Sequence, residues 1–304
     1  MSTFVQLSIA VGESGLGLAD AGAVAALAEQ VGVAAVRLRD EPGALEPTIA
    51  ASYLAGAHRI PFVPELSTTG NAPYNAARRL LSIDRAAGGQ FGVALVPGAG
   101  DEVSGPATAH PAERWREYAA VLARLWESFP REALVGDQEA AVFADDGLIH
   151  PIGHDGPLYR VAGPLDGPAS VQGRPVLVAD LAGLGFITAA ERADAVVIDR
   201  GESPGADAAL ADALRAAGLP RSEAALVGRV PIEALDAPAL DAPALAADLR
   251  SWAAADRLDG FELVPAGGLE SVAAVLRDLV PLLVNPSGPP TLRAAFGLRE
   301  AVAS

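Results

Sequence analysis

Short apolar runs recur along this chain, separated by longer stretches of mixed character. The runs, four to eight residues each, lie at Phe4–Ala10, Val33–Leu38, Arg59–Leu66, Phe91–Val96, Pro175–Ala179, Ala195–Ile198, Ala224–Val230 and Gly260–Val264. Runs of this kind fit strands covered on both faces. The intervening stretches carry apolar residues at helical spacing: Asp20–Gln30, Pro47–Ala57, Pro73 to the Gly88-Gly89 pair, Ala112–Phe129, Ala182–Arg192, Ala206–Ala217, Leu240–Arg257 and Leu269–Leu283. Asp20 suits a cap, and Pro73 enters its helix with φ already fixed. Strands that alternate with helices in this way predict an α/β fold, a (β/α)8 TIM-type barrel. The competing architecture, an open doubly wound sheet, brings a glycine fingerprint after its first strand. GESGLG at Gly12–Gly17 lacks that spacing.

The rhythm breaks in two places. A Gly- and Pro-rich loop follows Pro97, and Pro130–Arg174 carries several turn signals around short apolar runs. The second break predicts an excursion after the fourth strand that contains a small hairpin. The repeat DAPALDAPAL from Asp236 duplicates a helix start and has no solenoid period. The expected organisation is one barrel domain over residues 1–304, with an insertion segment at about 130–174 and a C-terminal tail at 285–304.

Composition narrows the partners. The 304 residues are 51% hydrophobic, ample for a barrel core, and no cysteine is present, which excludes disulfides, thiolate metal sites and cysteine nucleophiles. A net charge of −16 disfavours nucleic acid and anionic membranes. The N-terminus has no basic region before its apolar stretch, and no apolar run reaches the roughly 20 residues that a membrane span needs. These features predict a soluble, cytoplasmic protein.

Candidate chemistry gathers where strands hand over to helices. Ser67, Thr68, Thr69, Gly70 and Asn71 place hydroxyls, an amide and pliable backbone at such a point, where parallel αβ folds bind ligands. Asp40, Asp84, Asp180, Asp199 and Glu262 lie near strand ends or on helix faces, as structural partners or as acid/base groups. Of the four histidines, His150 and His154 form HPIGH, whose Pro151 and Gly153 argue against a helix-borne metal pair, and His58 reads as a capping or surface residue. Neither a G-x-S-x-G elbow nor a Walker A sequence is present.

The stretch STTGNAPYNAARRLLSIDRAAGGQFG from Ser67 resembles the luciferase-like flavin-dependent monooxygenases, in the branch that oxidises nitrilotriacetate, EDTA and dibenzothiophene sulfone. The resemblance continues in order through LARLWESF, IHPIGHDGPLYRVAGPLDGPASVQGRPVLV, RADAVV, DGFELVP and TLRAAFGLRE. It implies a (β/α)8 barrel that takes reduced FMN from a separate flavin reductase and oxygenates a small organic substrate, with a homodimer as the assembly. Carried onto this chain, it implies flavin contacts at Ser67, Thr68, Thr69, Asp180, Ala182 and Gly185. His110, His150 and His154 become substrate-side catalytic candidates, and no metal is implied.

The same comparison implies a degenerate flavin site. Asp180 and Ala182 replace a glycine and a hydroxyl in the family's phosphate turn, with no compensating cation nearby in sequence. The fourth strand has lost its polar residues, and the element around His110 has lost its tyrosine. Two readings therefore stay open. One is an FMN-dependent oxidoreductase with a modified pocket; the other is a flavin-free, non-catalytic barrel acting as a partner or ligand-binding subunit. A deazaflavin-using relative is a third.

Overall fold

The computed structural model describes residues 3–13, 15–98, 109–233, 240–285 and 288–299. The chain order is β1 (Phe4–Ala10), α1 (Leu18–Val31), β2 (Ala35–Arg39), α2 (Pro47–Ala55), β3 (Phe62–Ser67), α3 (Pro73–Ala86), β4 (Gly92–Val96) and α4 (Pro111–Glu127). A two-stranded hairpin, β5 (His154–Asp155) and β6 (Arg160–Val161), precedes β7 (Val176–Asp180), α5 (Gly185–Ala190) and β8 (Ala195–Ile198). Then come α6 (Ala206–Ala216), β9 (Ala225–Ile232), α7 (Ala242–Asp256), β10 (Gly260–Pro265), α8 (Leu269–Ala274), α9 (Val280–Leu283) and α10 (Leu292–Ala295). The closed barrel runs β1-β10-β9-β8-β7-β4-β3-β2, each neighbouring pair parallel.

Boundaries differ from expectation where local chemistry intervenes. The helix expected at Ala182–Arg192 is confined to Gly185–Ala190, because Gly183 and Gly185 take φ of +79° and +74°, values that end regular helix. The last long helix is interrupted by a π-helical stretch, Val275–Leu279, just before Pro281. Proline has no N–H to donate, and its ring collides with the carbonyl four residues back, so the ladder widens there. The excursion follows α4, which puts it at the end of the barrel where the strands begin, opposite the mouth. The loop after Pro97 and the start of the DAPAL repeat fall largely outside the described residues.

Strand side chains alternate between the helical shell and the barrel axis. On the axis side the lower level is apolar, with Ala35, Val63, Val176, Ala195, Ala225 and their neighbours. The C-terminal segment stops the base: Leu292, Phe296 and Leu298 pack on this cluster, and Phe296 stacks on Phe4 with ring centroids 4.5 Å apart. Buried Arg293 and the mostly buried Arg174 bind opposite oxygens of Asp194 at 2.8 and 2.7 Å, fixing the stopper to the strands.

Candidate active site at the barrel mouth

Above the apolar level the interior becomes ionic. Arg37, on β2 and only 2% exposed, spans the barrel to reach three other strands. Its Nε and Nη2 donate to Glu65 Oε1 at 3.0 and 2.7 Å, and Nη2 also donates to Asp180 Oδ2 at 2.8 Å. Its Nη1 donates to Asp180 Oδ1 at 2.8 Å and to Glu262 Oε2 at 3.1 Å. Arg229 on β9 completes the network, donating from Nη2 to Asp180 Oδ1 at 2.7 Å and from Nε to Glu262 Oε1 at 2.9 Å. Gln6 on β1 donates to Glu262 Oε2 at 2.7 Å.

Burial alone would disfavour every charge in this network. For Arg37 burial is opposed by Glu262, Asp180 and Glu65, and the guanidinium ends well above its ordinary value. For Asp180 burial is outweighed by Arg37 and then Arg229, which hold its carboxyl below the usual range. The expectation of an uncompensated Asp180 is thereby corrected. Sequence separation hid its partners, 143 residues away at Arg37 and 49 at Arg229.

The β3 turn is organised around its own hydroxyls. Ser67 Oγ and Thr69 Oγ1 lie 2.8 Å apart, Thr69 N donates to Ser67 Oγ, and buried Thr68 accepts from Gly98 N at 2.9 Å. Whichever of Ser67 and Thr69 donates to the other, the second hydroxyl keeps a proton for a ligand. Asn71 Nδ2 braces the loop by donating to the carbonyls of Ser67 and Thr69. Two strands further round the barrel, the turn after β7 contains Ala182, Gly183 and Gly185. A Cβ built at either glycine meets nothing within 4 Å, so the backbone is open to close approach. Val96 and Val264, both half-buried, add apolar margin.

The structure separates the three histidines along α4. His110 caps its N-terminus, Nδ1 accepting from Ala112 N, on the mouth side where the loop from β4 arrives. His154 lies against the middle of the helix, with Nε2 2.9 Å from Glu117 Oε1 and Nδ1 3.3 Å from Arg124 Nη1. Arginine can only donate, so Nδ1 accepts and the proton sits on Nε2, facing Glu117. Glu117 also accepts from the backbone of Leu158 and Tyr159, which makes the group a clamp holding the β5–β6 hairpin to α4. His150 lines a cavity at the far end of the helix with Arg131 and Arg174. Among the described residues no group of three or more His, Asp or Glu could hold a metal ion, and no helix is long and apolar enough to cross a membrane.

Sequence reasoning picked out Asp180 and Glu262 but missed Gln6, Arg37, Glu65 and Arg229. The signal was present as one or two polar residues on the axis-facing positions of otherwise apolar strands: FVQLSIA, AVRLR, FVPELS, ALVGRVPI and GFELVP.

Comparison with known proteins places this geometry. A family model described as luciferase-like monooxygenase matches residues 1–275. The dibenzothiophene-sulfone monooxygenase of Rhodococcus erythropolis is 32% identical over 143 residues, 44% of this chain and 32% of that protein. The match thus spans about a third of the length of that curated relative. The EDTA monooxygenase of Chelativorans sp. BNC1 superposes with a TM-score of 0.81 at 19% identity, covering 99% of each chain. A riboflavin lyase solved with modified FMN and riboflavin superposes at 0.85 with 18% identity, covering 99% of this chain and 97% of that one. At such identities the structural likenesses establish the fold.

Proposed function

The chain belongs to the luciferase-like monooxygenase family, and we propose that it is an oxidoreductase using reduced FMN to oxygenate a small organic substrate. The observation that carries this reading is the pairing of two ligand-ready turns at the barrel mouth. One is the hydroxyl turn after β3 and the other the open glycine turn after β7. Parallel barrels bind and react ligands at this end.

The residues present fit a flavin on two counts. Asp180 is paired with both Arg37 and Arg229, which weakens its repulsion of a phosphate, while the whole network of two guanidiniums and three carboxylates keeps one net negative charge. The backbone at Gly183 is unobstructed, as phosphate binding through amide groups requires, while the Gly185 N–H already donates to Leu181 O at 3.1 Å. Ser67 and Thr69 would contact the cofactor, with buried Thr68 bracing their turn, and the turn from Asp180 through Ala182 to Gly185 would contact it two strands further round the barrel. The chemistry such a cofactor supplies is activation of dioxygen for transfer of one oxygen atom.

The chain's own part is positional. The spare hydroxyl of the Ser67–Thr69 pair donates to the ligand, and Asn71 keeps that turn in register. The Arg37 network holds the floor rigid and closes the barrel axis below it. His110 is the histidine on the mouth side and the one we assign to the substrate. A separate flavin reductase would deliver the reduced cofactor, and a homodimer is the assembly this reading carries.

The test supplies purified protein with FMN, NADH and a flavin reductase under isotopically labelled dioxygen. Incubation with a panel of small sulfones, amines and alkanes should yield a product bearing one labelled oxygen. Absence of label from every product, with the reductase shown to be turning over, would refute oxygenation.

A further inference from the structure

The base of the barrel carries features that do not depend on the proposed function. Two cavities adjoin there, of about 460 and 500 Å³, and share Arg131, Ser170 and Val171 in their linings. The first is also lined by Arg85 and Ser82 of α3. The second extends past Pro130 and Leu148 of the excursion.

What sets the first cavity apart is its charge. Most guanidiniums in this protein are neutralised: Arg78, two helical turns before Arg85, binds Asp166 at 2.5 Å, and Arg160 binds Asp155 at 2.9 Å. Arg85 and Arg131 line one cavity with no ion pair or side-chain hydrogen bond among the described residues. In a chain of net charge −16, two unpaired cations on one cavity are the exception. Arg85 extends from α3 across to the excursion at Gly167. Its Nη1 lies so close over Gly167 that a Cβ there would come within 2.8 Å of it.

Two guanidiniums offer forked donors and a combined double charge, which matches a phosphate monoester dianion better than a monocarboxylate. The second cavity supplies what an inorganic ion does not need: Leu148, 40% exposed, and Val171, 50% exposed, are apolar surfaces next to the cations. We infer that this base groove binds a small organic phosphate, its phosphoryl group between Arg85 and Arg131 and its organic body against Pro130, Leu148 and Val171. Because Arg85 belongs to α3 and Arg131 to the excursion, the bound anion ties the excursion to the barrel.

Titration calorimetry at fixed ionic strength tests the site, using phenyl phosphate, inorganic phosphate and benzoate with wild type, Arg85→Gln, Arg131→Gln and Arg277→Gln. All three positions are exposed, and a thermal melt verifies that each variant folds. Phenyl phosphate should bind saturably to wild type and to Arg277→Gln, and about tenfold more weakly to each of the other two, as loss of a charge-assisted contact implies. It should also bind more tightly than either other probe. The inference is overturned if phenyl phosphate shows no saturable binding in the millimolar range, or binds the Arg85 and Arg131 variants as tightly as wild type. Inorganic phosphate or benzoate binding as tightly as phenyl phosphate overturns the assignment of an organic phosphate.

Discussion

Arg37 shows how much one side chain settles at this mouth. Three carboxylates on three strands pair with it, Glu262 fully buried and Glu65 and Asp180 partly so. Arg37→Met leaves Glu262 buried with less compensation and should cost about 3–5 kcal/mol, read as a lower urea midpoint. Adding Glu262→Gln should recover part of the loss, since the two sites are coupled. Asp84, on α3 near the base, is the opposite case. Burial pushes its carboxyl up from 3.8 to about 7, only partly offset by Ser170, Gln172 and Arg293. The folded state therefore resists ionisation that the unfolded chain undergoes freely. Stability attributable to Asp84 is fullest below pH 4 and falls as pH rises towards 7, by up to on the order of 4 kcal/mol. Asp84→Asn should accordingly stabilise the protein at pH 8, measured by denaturant melts, and change little at pH 4. Equal effects at both pH values would contradict this sign. At this scale the sequence was half legible. The polar turn at Ser67–Thr69 declared itself through local composition, whereas the partners of Asp180 are contacts that only barrel closure creates.

At the scale of elements, period and punctuation carried most of the information. Eight apolar runs became the eight barrel strands because buried parallel strands need no polar face. The helix at Pro73 was readable from its proline, whereas Asp20, expected as a cap, lies inside the first turn of α1, whose N-cap Gly17 makes no side-chain cap bond. Two things were not readable. One is the short α10, which owes its place to tertiary packing: Leu292 N donates to Gly89 O and Phe296 stacks on Phe4. Phe296→Ala should therefore cost about 3–5 kcal/mol, seen as a lower melting temperature, despite its distance from the mouth. The other is the role of HPIGH, whose second histidine clamps a hairpin to α4. His154→Ala should loosen that hairpin and raise its amide exchange. Flavin affinity should stay at the wild-type level, which separates a clamp from a ligand-contacting residue.

The molecule as a whole is a barrel with a sealed base, an ionic floor and an open mouth. Floor and base are each stitched by arginine–carboxylate networks, at Arg37 with Arg229 and at Arg293 with Arg174. The acidic charge of −16 is consistent with barrel enzymes that meet small ligands, and it makes anion binding at the mouth depend on local backbone donors rather than on long-range attraction. The family relationship was legible from collinear motifs over most of the chain. The site was less so, because the partners of Asp180, Arg37 and Arg229, lie far from it in sequence and meet it only when the barrel closes. The central claim is that this mouth still holds a flavin. Anaerobic titration of the protein with FMN, oxidised and reduced, and followed by flavin fluorescence, addresses it directly. Saturable quenching in the micromolar range is predicted, weakened when Ser67→Ala and Thr69→Val remove the spare hydroxyl. No binding up to millimolar FMN in either redox state would contradict the account and leave a flavin-free barrel in its place.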